Sequence, residues 1–279
     1  MADTDDIAVV ELGPADALAG LALSTEAHWN QNEADWRFFL TQGTVFGVRD
    51  HGGRLVATAA LLPYTSGNAW ISMVLVTASW RRRGLATKLV DSCLEAAARQ
   101  RLTTWLDATP EGAAVYGPLG FTPTLQLQLQ RLRLTQTASS KTTALQSIST
   151  SDLHEFIARD AGAMGFERGA LLAELGERPG SQLLSSGSAV ALVRDGRTAR
   201  HIGPLFANNS KQALALVDAI VRSGVAPLLI DAVSTQHEFI DGLANAGWTI
   251  ERPFQRMRFG RAAIKPVDLP FAVAGPEYG

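Results

Sequence analysis

The stretch Val74–Thr87 reads VLVTASWRRRGLAT and decides how the first half of the chain is interpreted. An apolar strand ends at Val76, a short loop follows, and the sequence predicts a helix that begins at Gly84. The first backbone N–H groups of a helix lack partners within the helix and carry a partial positive charge. The loop adds three basic side chains: Arg81, Arg82 and Arg83. This combination is typical of a site for a pyrophosphate group.

The turn before this helix is built from small residues. Gly84 lets a ligand approach the backbone closely, and Ala86 adds only a small side chain to the first helical turn. The stretch is neither a P-loop, which ends in Lys followed by Ser or Thr, nor a Gly-x-Gly-x-x-Gly dinucleotide motif. The alternative interpretation is a solvated basic patch. The regular apolar stripe that follows, with Leu85, Leu89 and Cys93 at helical spacing, favours an ordered helix N-terminus instead.

Around this stretch the sequence predicts alternating strands and helices. The predicted elements are, in order, a strand at 7–12, a helix opened by Gly13-Pro14, a helix at 32–41, strands at 44–49, 55–62 and 69–76, a helix at 84–100, a strand at 103–108, a helix from Pro110 and a strand at 121–134. Asn32 is the expected N-cap of its helix, and Pro63 is expected to end the preceding strand.

The second half repeats this plan. It predicts helices at 151–158 and 169–175, a hairpin at 189–207, a helix at 211–222, a strand at 227–233, a helix at 235–246 and a strand at 254–259. Leu89-Val90-Asp91 and Leu216-Val217-Asp218 occupy matching helices, which indicates an internal duplication. The Ser- and Thr-rich stretch between the halves is predicted to be a linker. The expected domains are 1–134 and 149–279, joined by a linker at 135–148.

Composition limits the kind of protein. A chain of 279 residues fits two domains, and a net charge of −2 argues against a dedicated nucleic-acid surface. The single cysteine, Cys93, excludes an internal disulfide framework and a multi-cysteine zinc site, and we expect no metal. The N-terminus has no apolar leader, and no run reaches the roughly 18 apolar residues of a membrane span. We therefore expect a cytoplasmic protein with no membrane or nucleic-acid partner.

Two motifs resemble those of one enzyme family. Arg81-x-x-Gly84-x-Ala86, placed after a strand, resembles the acyl-CoA-binding motif of the GNAT N-acetyltransferases. Tyr116-x-x-Leu119-Gly120-Phe121 resembles the Tyr-x-x-Leu-Gly-Phe stretch near the end of that fold. The resemblance implies an α/β fold around a mixed sheet, here as tandem GNAT-like acyl-CoA N-acyltransferase folds.

The resemblance also implies roles for individual residues. Tyr116 would be the catalytic acid that protonates the departing CoA thiolate. The pyrophosphate of acetyl-CoA, the expected cosubstrate, would lie on a cradle formed by Arg81, Arg82, Arg83, Gly84, Leu85, Ala86 and Thr87. The end of the preceding strand, with Val74 and Val76, would hold the pantetheine arm by backbone pairing. The alternative for Tyr116 is a core aromatic whose hydroxyl is satisfied.

An amine acceptor would contact residues before the cradle. The candidates are His28, Trp29, Asn30 and Trp70. Each also has a structural alternative, since aromatic and amide side chains pack in loops and cores. The general base is open between His28, Asp35, Glu111 and a water relay. His201, inside a predicted strand, is interpreted as structural, and Asp231 as the cap of the next helix.

The second half departs from the family pattern where the cofactor would bind. Asn208-Asn209-Ser210-Lys211 replaces the Arg-x-x-Gly-x-Ala motif, and no tyrosine stands at the position of Tyr116. This half is therefore expected to keep the fold without the cofactor site. It could shape the acceptor pocket or form a homodimer contact.

The whole chain resembles a narrower two-domain group, the YitH-like acetyltransferases. That resemblance rests on Trp29-Asn30, Asp35-Trp36, Ala69–Val76, Leu106–Pro110, Phe166-Glu167-Arg168, His201–Leu205, Arg256-Met257 and the tail Ala274–Gly279. The function implied is transfer of an acetyl group from acetyl-CoA to a primary amine of a small molecule or protein. The alternative is a non-catalytic acyl-CoA-binding regulatory or interaction protein.

Overall fold

The structure is a computed structural model that describes residues 8–134, 146–147, 150–223, 227–260 and 269–279, with the side chains of 125–130, 146–147 and 150–152 left undescribed. The chain folds as two compact units. The first contains Met1–Asp107, Glu111–Pro123 and Met257–Ala262. The second contains Ala108–Pro110, Thr124–Arg256 and Ala263–Gly279.

The first unit is a sheet with helices. Its strands are β1 (Val9–Leu12), β2 (Thr44–Arg49), β3 (Leu55–Tyr64), β4 (Asn68–Val76) and β5 (Thr103–Ala108). Its helices are α1 (Ala17–Glu26), α2 (Glu33–Gln42), α3 (Leu85–Arg99) and α4 (Pro110–Tyr116). The strand order is β1-β2-β3-β4-β5, antiparallel through β4 and parallel between β4 and β5. Strands β3 and β4 are buried along almost their whole length, which explains their continuous apolar sequences.

The second unit repeats this arrangement. Its strands are β6 (Thr122–Leu134), β7 (Gln146–Ser147), β8 (Gln182–Ser186), β9 (Ala189–Arg194), β10 (Arg200–Phe206), β11 (Leu228–Val233) and β12 (Thr249–Phe259). Its helices are α5 (Thr150–Met164), α6 (Gly169–Glu177), α7 (Ser210–Arg222) and α8 (His237–Asn245). The strand order is β7-β8-β9-β10-β11-β6-β12, and β10 and β11 are parallel. The predicted duplication is confirmed at the level of element order.

Most predicted elements are present, although α5 continues to Met164 rather than ending at 158, and three further elements differ. Pro63 does not end β3, because it pairs with Ala69 one residue before the strand's end. The sequence does not predict strand β8, because QLLSS lacks the alternation of apolar and polar residues that is typical of a half-buried strand. In the structure β8 pairs along its length with β9. Strand β12 begins at Thr249 rather than 254.

The division into units differs from the boundary predicted at 134. Strand β6 pairs antiparallel with β11 from Leu134 opposite Leu228 to Leu129 opposite Val233, so 124–134 groups with the second unit. The last residues of β12 group instead with the first unit. The predicted linker at 135–148 lies outside the described residues except for 146–147. The domain boundaries themselves stay a prediction.

The end of β12 lies against residues of the first unit, although Phe259 itself remains partly exposed. The ring of Phe259 lies 5.6 Å from that of Phe121, centroid to centroid. The guanidinium of Arg258 lies 5.7 Å from the centre of the Trp105 ring on β5. The backbone carbonyl of Arg258 accepts a hydrogen bond from Thr122 Oγ1 at 3.3 Å. The first unit is therefore completed by a segment from the far end of the chain.

Candidate functional site

A bulge interrupts β4 close to its end. Thr58 of β3 pairs with Leu75 and Ala60 pairs with Ser72, so two residues of β4, Met73 and Val74, lie opposite Ala59. Met73 has a positive φ of 52°, and its carbonyl accepts a hydrogen bond of 2.8 Å from Thr58 Oγ1. A bulge breaks the regular ladder and turns the strand beyond it.

Strand β4 separates from β5 after Trp70, just before this bulge. The parallel pairing joins Asn68 to Thr103, Ala69 to Thr104 and Trp70 to Trp105, and in the part of the chain described it goes no further. A gap therefore opens between the two strands toward their carboxyl ends. In open sheets of this kind, ligands bind at the carboxyl ends of parallel strands. Val74 and Val76, both half-buried, lie on the β4 side of this gap.

The loop after β4 is held by a carboxylate that sequence reasoning missed. Glu26, the last residue of α1, accepts hydrogen bonds from Thr77 Oγ1 at 2.6 Å and from the Ala78 backbone N–H at 2.7 Å. These bonds, that from Thr77 foremost, hold the pKa of Glu26 below its ordinary value. Because Glu26 lies 51 residues before Thr77 in the chain, no local motif could have indicated this contact.

The three arginines follow directly, and all are exposed. Arg81 Nε donates to the Val76 carbonyl at 3.1 Å. Arg83 Nη2 donates to the Ser79 carbonyl at 3.0 Å, and its guanidinium lies 4.8 Å from the centre of the Trp80 ring. These contacts orient two of the guanidinium groups along the loop.

Gly84 is the N-cap residue of α3 and has a left-handed conformation with a φ of 74°. A Cβ added there would meet no atom of the described residues within 4 Å, so the space above this residue is open in that part of the chain. As a glycine, this N-cap has no side chain with which to cap the helix, and the first helical bond runs from the Lys88 N–H to the Gly84 carbonyl at 3.0 Å. Leu85 is buried and Ala86 and Thr87 are half-buried. The open backbone, the helix N-terminus and the exposed arginines fit a pyrophosphate group.

Tyr116 is the last residue of α4 and is 9% exposed. Its carbonyl accepts from the backbone N–H groups of Leu119 and Phe121, and its ring lies 6.0 Å from that of Phe121. Burial, with a contribution from nearby Cys93, raises the pKa of the Tyr116 hydroxyl. The hydroxyl is therefore protonated at neutral pH and available as a hydrogen-bond donor.

Cys93 lies on the buried face of α3, as the sequence predicts. Burial raises the pKa of its thiol, so the nucleophilic thiolate is suppressed. Cys93 is therefore a core residue rather than a nucleophile.

The residues between α1 and α2 differ in accessibility. His28 is exposed and has a positive φ of 57°, Trp29 is half-buried, and Asn30 is buried. The side-chain oxygen of Gln31 is buried, and among the described residues it has no hydrogen-bond partner.

Two expectations about this region are corrected. Trp70 is completely buried, so it has no surface to offer an acceptor and belongs to the core. Asp35 is also buried, and its carboxylate accepts from the Asn32 N–H at 2.8 Å while Asn32 Oδ1 accepts from the Asp35 N–H at 3.1 Å. This reciprocal pair confirms Asn32 as the N-cap of α2 and commits Asp35 to capping rather than to base catalysis. Glu111 lies exposed in the first turn of α4.

The second unit presents a different helix start. Asn209 caps α7, with its Oδ1 accepting from the Gln212 N–H at 3.0 Å, so its own side chain lies where a phosphate would need to approach. His201 is buried and lies 2.9 Å from the Asp231 carboxylate. The expected role of Asp231 as a helix cap is wrong, because its side chain is paired with Arg131 and His201.

Comparison with known proteins gives consistent matches along the chain. The family model described as "Acetyltransferase (GNAT) family" matches residues 17–121. A second model, described as "Acetyltransferase (GNAT) domain", matches residues 157–267. Together the two matches cover most of both units.

Similar individual proteins extend over nearly the whole chain. The uncharacterized N-acetyltransferase YitH of Bacillus subtilis is 24% identical over 235 residues, covering 82% of this chain and 83% of its own. A presumed acetyltransferase from Pyrococcus horikoshii has a similar structure, with a TM-score of 0.81, 18% identity and coverage of 98% and 96% of the two chains. A tandem GNAT protein from the clavulanic acid biosynthesis pathway gives a TM-score of 0.66 at 16% identity, covering 92% and 100%.

The described residues contain neither a candidate membrane span nor a candidate metal-binding cluster. No helix there combines the length and the apolar character needed to cross a bilayer. Nor does that part of the chain contain a group of three or more His, Cys, Asp or Glu side chains arranged to hold a metal ion.

Proposed function

Because the chain belongs to the GNAT family of acetyltransferases, we propose that its first unit transfers an acetyl group from acetyl-CoA to a primary amine of a small molecule or protein. The observation that carries this proposal is the continuous path from the bulge at Met73 to the open helix start at Gly84. A separated strand end and an uncapped helix N-terminus in one stretch offer backbone groups to an amide-containing arm and to the pyrophosphate attached to it.

Acetyl-CoA would bind along this path. The gap beside Val74 and Val76 would accept the pantetheine arm through backbone hydrogen bonds. The pyrophosphate would lie on the N–H groups at the start of α3, with Gly84, Leu85, Ala86 and Thr87 forming the first turn and Arg81, Arg82 and Arg83 supplying positive charge. Glu26 would stabilise the loop without contacting the ligand.

The reaction needs the amine as its free base. Its nitrogen attacks the thioester carbonyl carbon, an N–C bond forms, and the carbonyl oxygen takes the negative charge. When this intermediate collapses, the C–S bond breaks, the sulfur leaves with the electron pair, and the nitrogen loses a proton to His28 or to water. Positioning the two reactants lowers the barrier by several kcal/mol, and a backbone N–H beside the bulge would stabilise the oxygen.

Tyr116 would act on the leaving sulfur. Its hydroxyl would donate a hydrogen bond to the developing thiolate and begin to share its proton with the sulfur as the C–S bond breaks. Because burial raises the pKa of Tyr116, complete proton transfer to a thiolate of ordinary pKa is uphill, so most of the benefit comes from the hydrogen bond while the C–S bond breaks.

The acceptor would lie beside the end of α1. His28 and Trp29 have exposed surface there, and Asn30 and the unsatisfied oxygen of Gln31 are polar groups at the same chain turn. Trp70 is not part of this proposal. The non-catalytic alternative, in which acyl-CoA binding only shapes an interaction surface, is disfavoured by the intact Tyr116.

The first experiment is calorimetric titration of the purified protein with acetyl-CoA. Gly84→Glu places a negative side chain in the cradle and should abolish binding. Gly53→Glu is the matched control, because Gly53 also has a positive φ, of 81°, and an open Cβ direction but lies in the β2–β3 turn. Binding that is lost only in Gly84→Glu, followed by thiol release with an amine panel, supports the proposal. No binding by folded wild type contradicts it.

A further inference from the structure

The second unit contains the same strand separation as the first. Strand β10 pairs in parallel with β11 at three positions, from Arg200 opposite Leu228 to Ile202 opposite Ile230. The register of β10 against β9 then slips between Ile202 and Leu205. Leu205 is the first residue of β10 that pairs with β9 after the slip. Leu75 has the same position in β4, where it is the first residue that pairs with β3 after the bulge. The fold therefore produces a gap between β10 and β11 at the position equivalent to the proposed cofactor gap.

In the second unit a segment of the C-terminal tail occupies this gap. The Phe271 N–H donates to the Leu205 carbonyl at 2.8 Å, and the Leu205 N–H donates to the Ala272 carbonyl at 2.9 Å. On the other side, the Val233 N–H donates to the Phe271 carbonyl and the Val273 N–H to the Asp231 carbonyl, both at 3.0 Å. Backbone groups that the separation of β10 and β11 would leave unpaired are thus satisfied by the tail.

The side chains of the tail segment are part of the core. Phe271 packs edge to face on Phe239 of α8, with ring centroids 5.2 Å apart. Ala272 and Val273 are completely or almost completely buried. The segment is therefore packed as firmly as a central strand of the sheet.

Two buried arginines hold the rest of the tail. Arg194 Nη2 donates to the Ala274 carbonyl at 2.6 Å and to the Glu277 carboxylate at 2.9 Å. Arg168 Nη1 donates to the Tyr278 carbonyl at 2.8 Å, while its Nε and Nη2 pair with Asp160. Releasing the tail would leave these buried cations without several of their acceptors, which is strongly unfavourable.

We propose that Phe271–Val273 is a permanent internal ligand of the second unit. It takes the place that the extended amide chain of a pantetheine arm would need between β10 and β11, so this gap admits no acyl-CoA and the chain binds one cofactor rather than two. The number of bound cofactors rests on the proposed function of the first unit. The position of the tail between β10 and β11 is independent of that function.

Hydrogen exchange tests the seating directly on the unmodified protein. We expect the amides of Leu205, Val233 and Val273 to exchange within tenfold of the rate of Ile230, a central residue of β11. Exchange near the rate of an unfolded chain at these three amides, with Ile230 still protected, would overturn the proposal.

A reversible lock tests whether the tail ever leaves. Ala232 and Ala272 are bridge partners, so the double variant Ala232→Cys/Ala272→Cys places two thiols at a separation that suits a disulfide. We expect one acetyl-CoA per chain, with Kd and turnover within twofold in the oxidised and reduced forms. The two single variants are the controls for the substitutions themselves. Two sites in the reduced form but one in the oxidised form would show that the tail vacates the gap.

The Gly84→Glu variant separates the two proposals. It should bind no acetyl-CoA, and one remaining site would place a cofactor in the second unit and overturn the inference. If wild type binds no acetyl-CoA at all, the proposed function fails, while slow exchange at the three amides still upholds the internal ligand.

Discussion

Arg131 and Asp231 face each other across two strands and are joined by two hydrogen bonds of 2.8 Å, from Nε to Oδ1 and from Nη2 to Oδ2. Both side chains are almost completely buried. His201 Nε2 lies 2.9 Å from Asp231 Oδ2 and completes the cluster. A guanidinium and a carboxylate paired in this way satisfy each other's charge in a site that water does not reach.

Loss of the carboxylate charge should therefore destabilise the second unit. In Asp231→Asn the buried Arg131 loses its counter-ion, and we expect the free energy of unfolding to fall by about 3–5 kcal/mol. Denaturant unfolding measures this change. The control is Asp218→Asn, which removes a carboxylate of an exposed ion pair with Arg222 and should cost under about 1 kcal/mol. Equal losses in the two variants would contradict the argument.

The cluster also predicts a pH dependence. Burial, and then the charge of Arg194, lower the pKa of His201, although Asp231 and Glu277 act in the opposite direction. Below the ordinary value of 6.5 the unfolded chain binds a proton at His201 that the folded chain does not. The folded state should thus lose stability as pH falls below about 6.5, by at most about 1.4 kcal/mol per pH unit.

The variant His201→Gln isolates this effect, since a glutamine can still donate to Asp231 but does not titrate. Its unfolding free energy, measured by denaturation at several pH values, should vary less than that of wild type between pH 7.5 and 5.5. An unchanged slope would assign the pH dependence to other groups.

Tyr116→Phe should separate binding from turnover. Without the hydroxyl the leaving sulfur loses its hydrogen-bond donor, and we expect kcat to fall about 100-fold while the Kd for acetyl-CoA stays within threefold. Initial rates of thiol release and calorimetry give the two values. Tyr64→Phe, in β3, is the control and should retain full turnover. A Tyr116→Phe enzyme with wild-type kcat would remove this residue from the mechanism.

Glu26→Gln should weaken cofactor binding without touching the ligand. A carboxylate can accept from both Thr77 and Ala78, whereas a glutamine has one oxygen for the two donors, so the loop before the cradle becomes less ordered. We expect the Kd for acetyl-CoA to rise about tenfold, equivalent to about 1.4 kcal/mol. Glu33→Gln, which changes only an exposed pair with Arg37, should leave the Kd unchanged. Equal Kd values in both variants would argue against loop ordering by Glu26.

Gly203→Ala should disturb the seated tail. An added Cβ would lie 2.1 Å from the Val273 carbonyl oxygen, a distance that forces backbone to move. We expect a loss of several kcal/mol in unfolding free energy and faster exchange at Val273. Gly162→Ala is the opposite case, because its Cβ would meet nothing on the exposed side of α5, and it should be neutral or slightly stabilising. A stable Gly203→Ala protein with a protected Val273 amide would contradict the packing.

Local features of the fold were predictable, and distant ones were not. The stretch from Val74 to Gly84 contains a strand, a loop and a helix start in consecutive residues, so periodicity and small residues suffice to identify it. The same holds for the N-cap at Asn32. The cofactor-binding residues proposed from the stretch Val74–Gly84 stay predictions until binding is measured.

The remaining features depend on residues far apart in the chain. Glu26 has no sequence signal that connects it to Thr77, and nothing in β6 indicates that it pairs with β11. The tail Phe271–Val273 reads as an unremarkable apolar run. The role of this tail segment can be recognised only in the folded structure. There the separation of β10 and β11 would leave backbone groups unpaired, and the tail segment supplies their hydrogen-bond partners.

The placement of Met257–Phe259 has a consequence for biosynthesis. These residues complete the first unit, yet the ribosome makes the 133 residues of Thr124–Arg256 before them. At about 5–20 residues per second, that interval lasts roughly 7–27 s, during which β5 has an uncovered edge. A nascent chain in this state is a natural client for a chaperone, and a premature stop anywhere before Met257 should yield a first unit that aggregates rather than an active fragment.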